Sequence, residues 1–440
     1  MSSPTLPPTL PRRAFAILFT VSLIQAVGNT GMQSVLPAIG REIGMADPLV
    51  AAIFSLSAIL WAVTSPFWAR QSDIRGRKPM MLLGLIGFAI SMFACGIVVS
   101  IGVRHILAPT IIFVLFLFSR ALFGLIGAAA NPATQAYVAE RTRREDRTQA
   151  MASLAGAFGL GTILGPAIAP IFVQPVIGLA GPMFAFAVAA ASMLFVVWRY
   201  LPDEKASGAG PPQAGRVTPA PADKEPGLWT DKRLAPFLIY GFLIASCQTV
   251  QGQTLGFMII DKLALPPMEA QGFTAVAMMA GAIAGLLAQW GLIAMFKMRP
   301  SALLQWGVAI AAGANLLTAF APNYWTVVVG FAFSSLGYGL SRPGFTAGAS
   351  LSVRGDEQAR AAGAIAAVNG SSVIVAPVLG VILYERVHAA PFLMNMVILL
   401  ALLAYALRNN VLRNAGEGPA TEEDSTNAML ERNEEGGPAV

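Results

Sequence analysis

The chain has 440 residues and a net charge of +6, and 55% of its residues are hydrophobic whereas only 12% are charged. A soluble domain carries about 25% charged residues, so a soluble chain of this composition would leave large apolar patches in water. A secreted enzyme, a disordered scaffold and a soluble nucleic-acid-binding protein are therefore excluded, and an integral membrane protein is indicated. Both cysteines, Cys95 and Cys247, lie in apolar segments, which excludes a disulfide framework and a cysteine-rich metal site.

Apolar segments of about 20 residues recur along the chain, and each is long enough to cross a bilayer. They predict helices, because backbone groups in lipid need hydrogen-bond partners within their own segment. A polar N-terminal segment, 1–13, precedes a first run that is too long for a cleaved signal peptide. The twelve predicted spans lie near 14–38, 49–69, 80–101, 109–138, 148–172, 177–199, 234–260, 270–295, 301–321, 324–350, 360–384 and 390–408.

Basic residues are distributed unequally between the two sides of this predicted bundle. Most of the 29 Lys and Arg residues fall on the side shared by the N-terminus, the loop after the sixth span and the C-terminus. The positive-inside rule then predicts that both termini are cytoplasmic. The exceptions are four residues on the far side, Arg41, Arg104, Lys262 and Arg386, and two inside spans, Arg120 and Arg342.

A polar segment divides the spans into two sets of six. Residues 201–233 are rich in Pro, Gly and charge and predict a flexible cytoplasmic linker between bundles at 14–200 and 234–408. The acidic tail, 409–440, is predicted to be disordered.

The two sets also resemble each other in sequence. One shift along the chain places Pro132 on Pro343 and Pro166 on Pro377. Such duplication predicts an all-α membrane protein with two pseudo-symmetric six-helix halves around a central cavity, in which the halves move against each other.

Three motifs carry chemistry, and the first follows the second span. The stretch 69–79 contains an acid, Asp73, then Gly76 and two basic residues, Arg77 and Lys78. This stretch resembles the signature loop of the major facilitator superfamily.

The other two motifs lie in the fourth and fifth spans. The fourth span carries Arg120 followed by Gly124, and the fifth carries Gly161, Gly165 and Pro166. The order of all three motifs is similar to that in the twelve-span drug–proton antiporters of this superfamily, including the tetracycline exporters. The resemblance implies a proton-coupled exporter that works by alternating access.

The resemblance also implies a conformational role for Asp73. Its carboxylate would cap the positive N-terminal end of the eleventh span, near Arg360, only when the cytoplasmic side is closed. The alternative is an ion pair of Asp73 with Arg75 or Arg77 in solvent. Arg77 and Lys78 are interpreted first as topology anchors.

The glycines of the fifth span permit close helix contact. Gly161 and Gly165 lack a Cβ atom and Pro166 removes a backbone donor, so this helix can bend or approach a neighbour. We expect a hinge or seal against the eighth span at Gly281 and Gly285. The alternative is ordinary packing of small residues.

The resemblance links Arg120 to proton transfer or structural coupling. No acidic residue is predicted in the middle of a span, and the nearest titratable candidates for proton coupling are Asp73 and Glu140. Gln25 stands where tetracycline-type exporters have an aspartate. This departure shifts the expected substrate from cations toward neutral or anionic compounds.

Amides in the first and seventh spans predict a wet cavity. Gln25, Asn29 and Gln33 are spaced by four residues and share a helix face, and Gln248 and Gln251 share another. Amides inside a membrane need polar partners, so these faces are expected to line the substrate cavity. The alternative is interhelical hydrogen bonding that only holds helices together.

Arg342 is the second basic residue inside a span and is a further cavity candidate. It precedes Pro343 and corresponds in the repeat to Asn131. It could bind an anionic group, or it could extend to the membrane surface or bond carbonyls that Pro343 leaves free. Asn131 and Asn369 complete the predicted cavity set.

The leading hypothesis is a proton-driven exporter of amphiphilic small molecules in a bacterial inner membrane, functioning as a monomer. An exporter or permease for an organic anion or metabolite, such as a siderophore, is the second hypothesis. A non-transporting sensor with the same fold is the third. Neither an enzyme nor a cofactor, metal ion or nucleic-acid partner is expected, because the chain has no nucleophile–base set, metal cluster or phosphate loop.

Overall fold

A computed structural model describes residues 10–142, 147–174, 177–202, 231–353 and 357–416. These residues are almost entirely helical, and the part of the chain that they cover contains no β-strand beyond one isolated bridge between Gln174 and Gly178. Most of the linker and of the tail lies outside the described residues, so their predicted flexibility and disorder stay predictions. Residues 409–416 of the predicted tail continue the fold, since Ser301 donates its backbone N–H to the carbonyl of Ala415.

The helices are long, and several contain proline. They are α1 (Arg12–Ile43), α2 (Asp47–Arg75), α3 (Arg77–Val103), α4 (Pro109–Leu125), α5 (Ala130–Arg141), α6 (Arg147–Ile168), α7 (Gly181–Tyr200), α8 (Ala235–Leu263), α9 (Pro267–Leu286), α10 (Ile293–Phe296), α11 (Pro300–Ala319), α12 (Tyr324–Leu351), α13 (Gln358–Arg386), α14 (Ala390–Arg408) and α15 (Asn410–Arg413). A 3₁₀ turn, Gly127–Ala129, joins α4 to α5, and a π-helical segment, Leu287–Leu292, joins α9 to α10.

Within the described residues, nine helical segments are long and apolar enough to cross a membrane. Two of them are composite, because the segments Pro109–Arg141 and Pro267–Phe296 each include a turn between two helices. The other predicted spans coincide with α6, α8 and α12, which are not among those nine. The chain is therefore a helical, multi-pass membrane protein, and the twelve crossings and two halves stay predictions.

Helices α1 and α2 connect distant parts of the chain. α1 packs against α6 and α7 and also against α8 and α9, and α2 packs against α4 and α13. Further along the chain, α11 packs on α12 and α14, and α8 packs on α13. Residues of α1, α2, α8 and α13 share one buried apolar core, so the fold joins early and late helices along these contacts.

The glycines of α6 make a close helix contact, and their partner is α1. A Cβ atom on Gly161 would lie 2.4 Å from Ala26 Cβ, and one on Gly165 would lie 2.6 Å from the carbonyl oxygen of Val27. Thr30 Oγ1 donates to the carbonyl of Gly161 at 3.0 Å. α6 also packs against α9, as expected for the fifth and eighth spans, but the atoms nearest to Gly161 and Gly165 belong to α1 rather than to Gly281 and Gly285.

The two glycines of α9 have a different neighbour. A Cβ atom on Gly281 would meet Phe331 and Ser335 of α12, and one on Gly285 would lie 3.7 Å from the carbonyl oxygen of Ser335. Small residues occur in both helices because each packs closely against its own partner, and composition alone does not identify that partner. Pro166 lies buried two residues before the end of α6.

We predict that Gly165→Ala destabilises the protein by about 1–3 kcal/mol, because the added methyl group must push apart the backbones of α1 and α6. Thermal unfolding of the purified protein in detergent measures the effect. Gly159→Ala is the matched control in the same helix, since a Cβ atom there meets nothing within 4 Å. Equal melting temperatures for the two variants would contradict the close contact.

Candidate functional site

The signature segment folds as two helices rather than as a loop. α2 runs through Asp73 to Arg75, and α3 begins at Arg77, so only Gly76 lies outside a helix. Gly76 has φ 98° and ψ 158°, a conformation that is essentially restricted to glycine. This single residue turns the chain between the two helices and places Asp73 beside Arg77. We call this end of the bundle the signature end.

Arg77 is the centre of an ionic network at the signature end. Its guanidinium contacts Asp73 Oδ1 at 2.5 Å and Glu140 Oε1 at 2.5 Å, and it donates to Ser72 Oγ at 3.1 Å. The side chain of Asp73 is 57% exposed. The observed contact of Asp73 is thus the ion pair with Arg77, the alternative that the sequence left open, and Lys78 lies beside it, partly buried.

We predict that Gly76→Ala destabilises the protein by about 1–3 kcal/mol through backbone strain alone. Space is available for the methyl group, because the nearest atom, Pro79 Cδ, is 3.6 Å away. The control is Gly156→Ala, because Gly156 is helical and a Cβ atom there meets nothing within 4 Å. Melting curves of the two variants in detergent are compared. A Gly76→Ala protein as stable as the Gly156→Ala control would show that this turn tolerates an L side chain.

Arg120 of α4 is 1% exposed and meets α1 inside the bundle. Its Nη2 donates to Asn29 Oδ1, and its guanidinium lies over the Phe123 ring at 4.4 Å and near the Phe54 ring at 5.2 Å. The remaining donor atoms, Nε and Nη1, have no hydrogen-bond partner in the described structure. An amide and two aromatic faces therefore hold this cation, and two donor nitrogens remain without a hydrogen bond among the described residues.

We predict that Asn29→Ala destabilises the protein by about 1.5–3 kcal/mol, the range for a hydrogen bond to a charged group, because it removes the acceptor of the buried Arg120. Gln33→Ala is the control, since Gln33 is a partly buried amide one turn further along α1. Unfolding temperatures that fall equally in both variants would argue against a specific Asn29–Arg120 bond.

The amides of α8 and α1 differ in their surroundings. Gln251 is 1% exposed and donates to Ser334 Oγ of α12 at 2.8 Å, which is the interhelical bond that the sequence left as an alternative. Its Oε1, and Nε2 of the buried Gln25, have no partner in the described structure. Gln248 and Gln33 are partly buried.

Among the described residues, no hydrogen bond or ion pair joins the remaining predicted cavity residues to one another. Asn131 accepts a hydrogen bond from Gln135 at 2.9 Å, within α5. Asn369 lies partly buried in α13. Arg342 is exposed in the interior of α12, eighteen positions after the helix begins at Tyr324. Its side chain has no ion-pair partner among the described residues, so its charge is open to a ligand or to water.

The structure also contains an ionic cluster that sequence reasoning missed, which we call the opposite-end cluster. Arg41 binds Asp47 with two hydrogen bonds, at 2.7 and 2.6 Å, and contacts Asp261 at 3.1 Å. Tyr384 donates to Asp261 Oδ2 at 2.8 Å, and the backbone N–H of Asp47 donates to Glu385 Oε1 at 3.1 Å.

The opposite-end cluster surrounds a cavity of about 530 Å³, lined in part by Arg41, Met45, Asp47, Asp261, Tyr384, Glu385 and His388. The charge pattern had already assigned Arg41 to the far side of the membrane, and the predicted spans place Asp47, Asp261 and Glu385 in loops of that same side. That shared side was the available signal. It could not show which charges pair, because the partners come from four distant helices.

Buried polar groups inside a multi-pass helical bundle, with ionic networks at its two ends, are typical of a membrane transporter. The sequence profile of the Major Facilitator Superfamily matches residues 18–314 of this chain. The chain belongs to this superfamily, whose members are transporters and not enzymes.

Bacterial resistance proteins are similar to the chain. Multidrug resistance protein 2 of Bacillus subtilis (strain 168) is 26% identical over 86% of this chain and 90% of its own length. Tetracycline resistance protein, class D, of Salmonella ordonez is 30% identical over 44% of this chain and 49% of its own length.

Solved transporters share the fold. The crystal structure of the human organic anion transporter MFSD10 (TETRAN) superposes with a TM-score of 0.61 at 19% identity, covering 90% of this chain and 99% of that one. A peptide transporter of the POT family superposes with a TM-score of 0.70 at 14% identity, covering 92% and 97% of the two chains. At these identities the likeness concerns the fold alone.

Proposed function

We propose that the protein is a proton-coupled exporter of amphiphilic small molecules, neutral or anionic, in a bacterial inner membrane. The observation that supports a neutral or anionic substrate is Arg342, an exposed cation inside α12 without an acidic partner among the described residues. In the described helices every acidic residue lies in a first or last turn, so the interior offers no carboxylate to a cationic substrate. The multidrug and tetracycline resistance relatives support export.

The predicted twelve spans in two halves, with both termini cytoplasmic, place the signature end at the cytoplasmic surface. The described structure supports a state that is closed at the opposite end. Hydrogen bonds there connect α1 with α8 and α2 with α13.

The site residues then take separate roles in alternating access. The Asp73–Arg77–Glu140 network would rearrange when the cytoplasmic side closes, with Gly76 as its turn and Lys78 as a topology anchor. The contact of α6 with α1 through Gly161 and Gly165, next to Pro166, would transmit the movement. Arg120, held by Asn29, would couple the movement to substrate or proton.

The substrate cavity lies between α1, α5, α8, α12 and α13 in this proposal. Arg342 would attract the anionic or hydrogen-bond-accepting part of the substrate. The amides that line the rest of it are Gln25, Asn29, Gln33, Asn131, Gln248, Gln251 and Asn369.

We predict that Arg342→Ala raises the half-maximal concentration of anionic compounds by about tenfold or more and changes that of neutral compounds little. The loss corresponds to one hydrogen bond to a charged group, about 1.5–3 kcal/mol. Everted membrane vesicles with an energised pH gradient and a fluorescent pH probe measure the proton release that follows addition of cationic, neutral and anionic compounds.

Arg408→Ala is the matched control for this experiment, since it removes an exposed arginine from the last turn of α14. Proton release with cations alone would contradict the proposed substrate charge. An absence of proton release with every compound would contradict proton coupling. Equal losses for anionic and neutral compounds in Arg342→Ala would contradict the anion-binding role of Arg342.

The second candidate is an exporter or permease for an organic anion, and the same exposed Arg342 favours it. The two candidates differ in substrate breadth. A permease for one metabolite responds to a single anion and ignores chemically unrelated amphiphiles, whereas a drug exporter responds to several. A sensor would respond to none, and the bacterial resistance relatives argue against that reading.

A further inference from the structure

Helix α2 begins without a cap of its own. Its N-cap residue, Ala46, has no polar side chain, and the first N–H groups of a helix have no partner within that helix. The N–H of Asp47 donates instead to Glu385 Oε1 at 3.1 Å. A carboxylate at this position also interacts favourably with the positive end of the helix dipole. The cap of α2 therefore comes from another helix, α13.

Glu385 belongs to a contact that joins helices far apart in sequence. Arg41 of α1 binds Asp47 of α2 and also contacts Asp261 of α8 at 3.1 Å. Tyr384, next to Glu385, fixes Asp261 with a hydrogen bond of 2.8 Å. Opening this end of the bundle separates α1 and α2 from α8 and α13, and it must break the Arg41–Asp261 pair and the Glu385 cap together.

The packed helices α2 and α13 are equally long, 29 residues each, and the Glu385 contact places the start of α2 beside the end of α13. The two helices are therefore antiparallel. Glu385 lies in the last turn of α13, as Asp73 lies in the last turn of α2. Each helix thus carries a carboxylate at the end where its neighbour begins.

Among the described residues, Glu385 is the one of these two carboxylates that is bonded to the neighbouring helix. Glu385 holds the N–H of Asp47, whereas Asp73 pairs with Arg77 of α3. At the start of α13, Glu357 is bound by Arg233 at 2.8 Å, and this bond, with that to Asp231, raises the pKa of Arg233. The asymmetry matches an opposite end that is closed.

We propose that Glu385 is a conformation-determining residue, whose cap on α2 holds the opposite end closed and is released when that end opens. This proposal rests on the proposed alternating-access function. It goes beyond that function because it assigns the closed state to one carboxylate outside the substrate cavity.

A thiol reporter tests the proposal without measuring transport. Met45 is 4% exposed and lines the cavity of the opposite-end cluster, so Met45→Cys should react slowly with a membrane-impermeant maleimide while this end is closed. The two native cysteines are replaced by alanine, and labelling rates are measured in intact cells. Adding Glu385→Ala should raise the labelling rate about tenfold, the shift produced by losing a charged helix cap.

Two further variants separate this role from general destabilisation. Glu385→Gln keeps an acceptor for the Asp47 N–H but loses the charge, so its labelling rate should lie between the parent and Glu385→Ala. Glu42→Ala is the control, since it removes an acid in the last turn of α1 that makes no contact with the cluster in the described structure. Its labelling rate should match that of the parent. Full labelling after denaturation confirms equal amounts of each variant.

Equal labelling of Glu385→Ala and Glu42→Ala would overturn the proposal, and so would a Gln variant that labels faster than the Ala variant. Failure of the proposed function gives a different result. If the parent moves no compound in everted vesicles but the Glu385→Ala variant still labels faster, the export function is refuted and the proposed cap stands.

Discussion

The constraint on which this structure depends is the cost of placing charge in hydrocarbon. Carboxylates are confined to the first and last turns of the described helices, where they can reach water or a partner. The result is one ionic network at each end of the bundle, around Arg77 and around Arg41. Between them, polarity is supplied by amides, by hydroxyl groups such as that of Ser334, and by two guanidinium groups, those of Arg120 and Arg342.

The same constraint explains how Arg120 is held. A buried cation would ordinarily be paired with an acid, but here an amide oxygen and aromatic rings surround the guanidinium. Guanidinium stacks on aromatic faces and is more weakly hydrated than an ammonium group, so this environment suits arginine better than lysine. Arg120 is bonded to α1 through Asn29. The same helix is packed closely by the glycines of α6.

Much of the site could be predicted from sequence because its parts lie in short motifs. The Asp73–Arg77 ion pair joins residues four positions apart, and the membrane class follows from apolar runs alone. The predicted packing of α6 on α9 is present, but the nearest neighbour of Gly161 and Gly165 is α1, because a glycine signals close approach without identifying the neighbour. The Glu385 cap escaped notice for a related reason, since its partner is a backbone N–H more than three hundred residues away along the chain.

The exposed guanidinium of Arg342 has an electrical consequence. In a protein that alternates access, a fixed charge in the cavity senses the membrane voltage through whichever side is open. Moving one elementary charge through the full potential corresponds to about 2.3 kcal/mol per 100 mV. Under the proposed alternating-access cycle, a cell interior at negative potential therefore favours the state in which Arg342 faces the cytoplasm. Voltage would then bias the resting conformation even when the transported compound itself carries no charge.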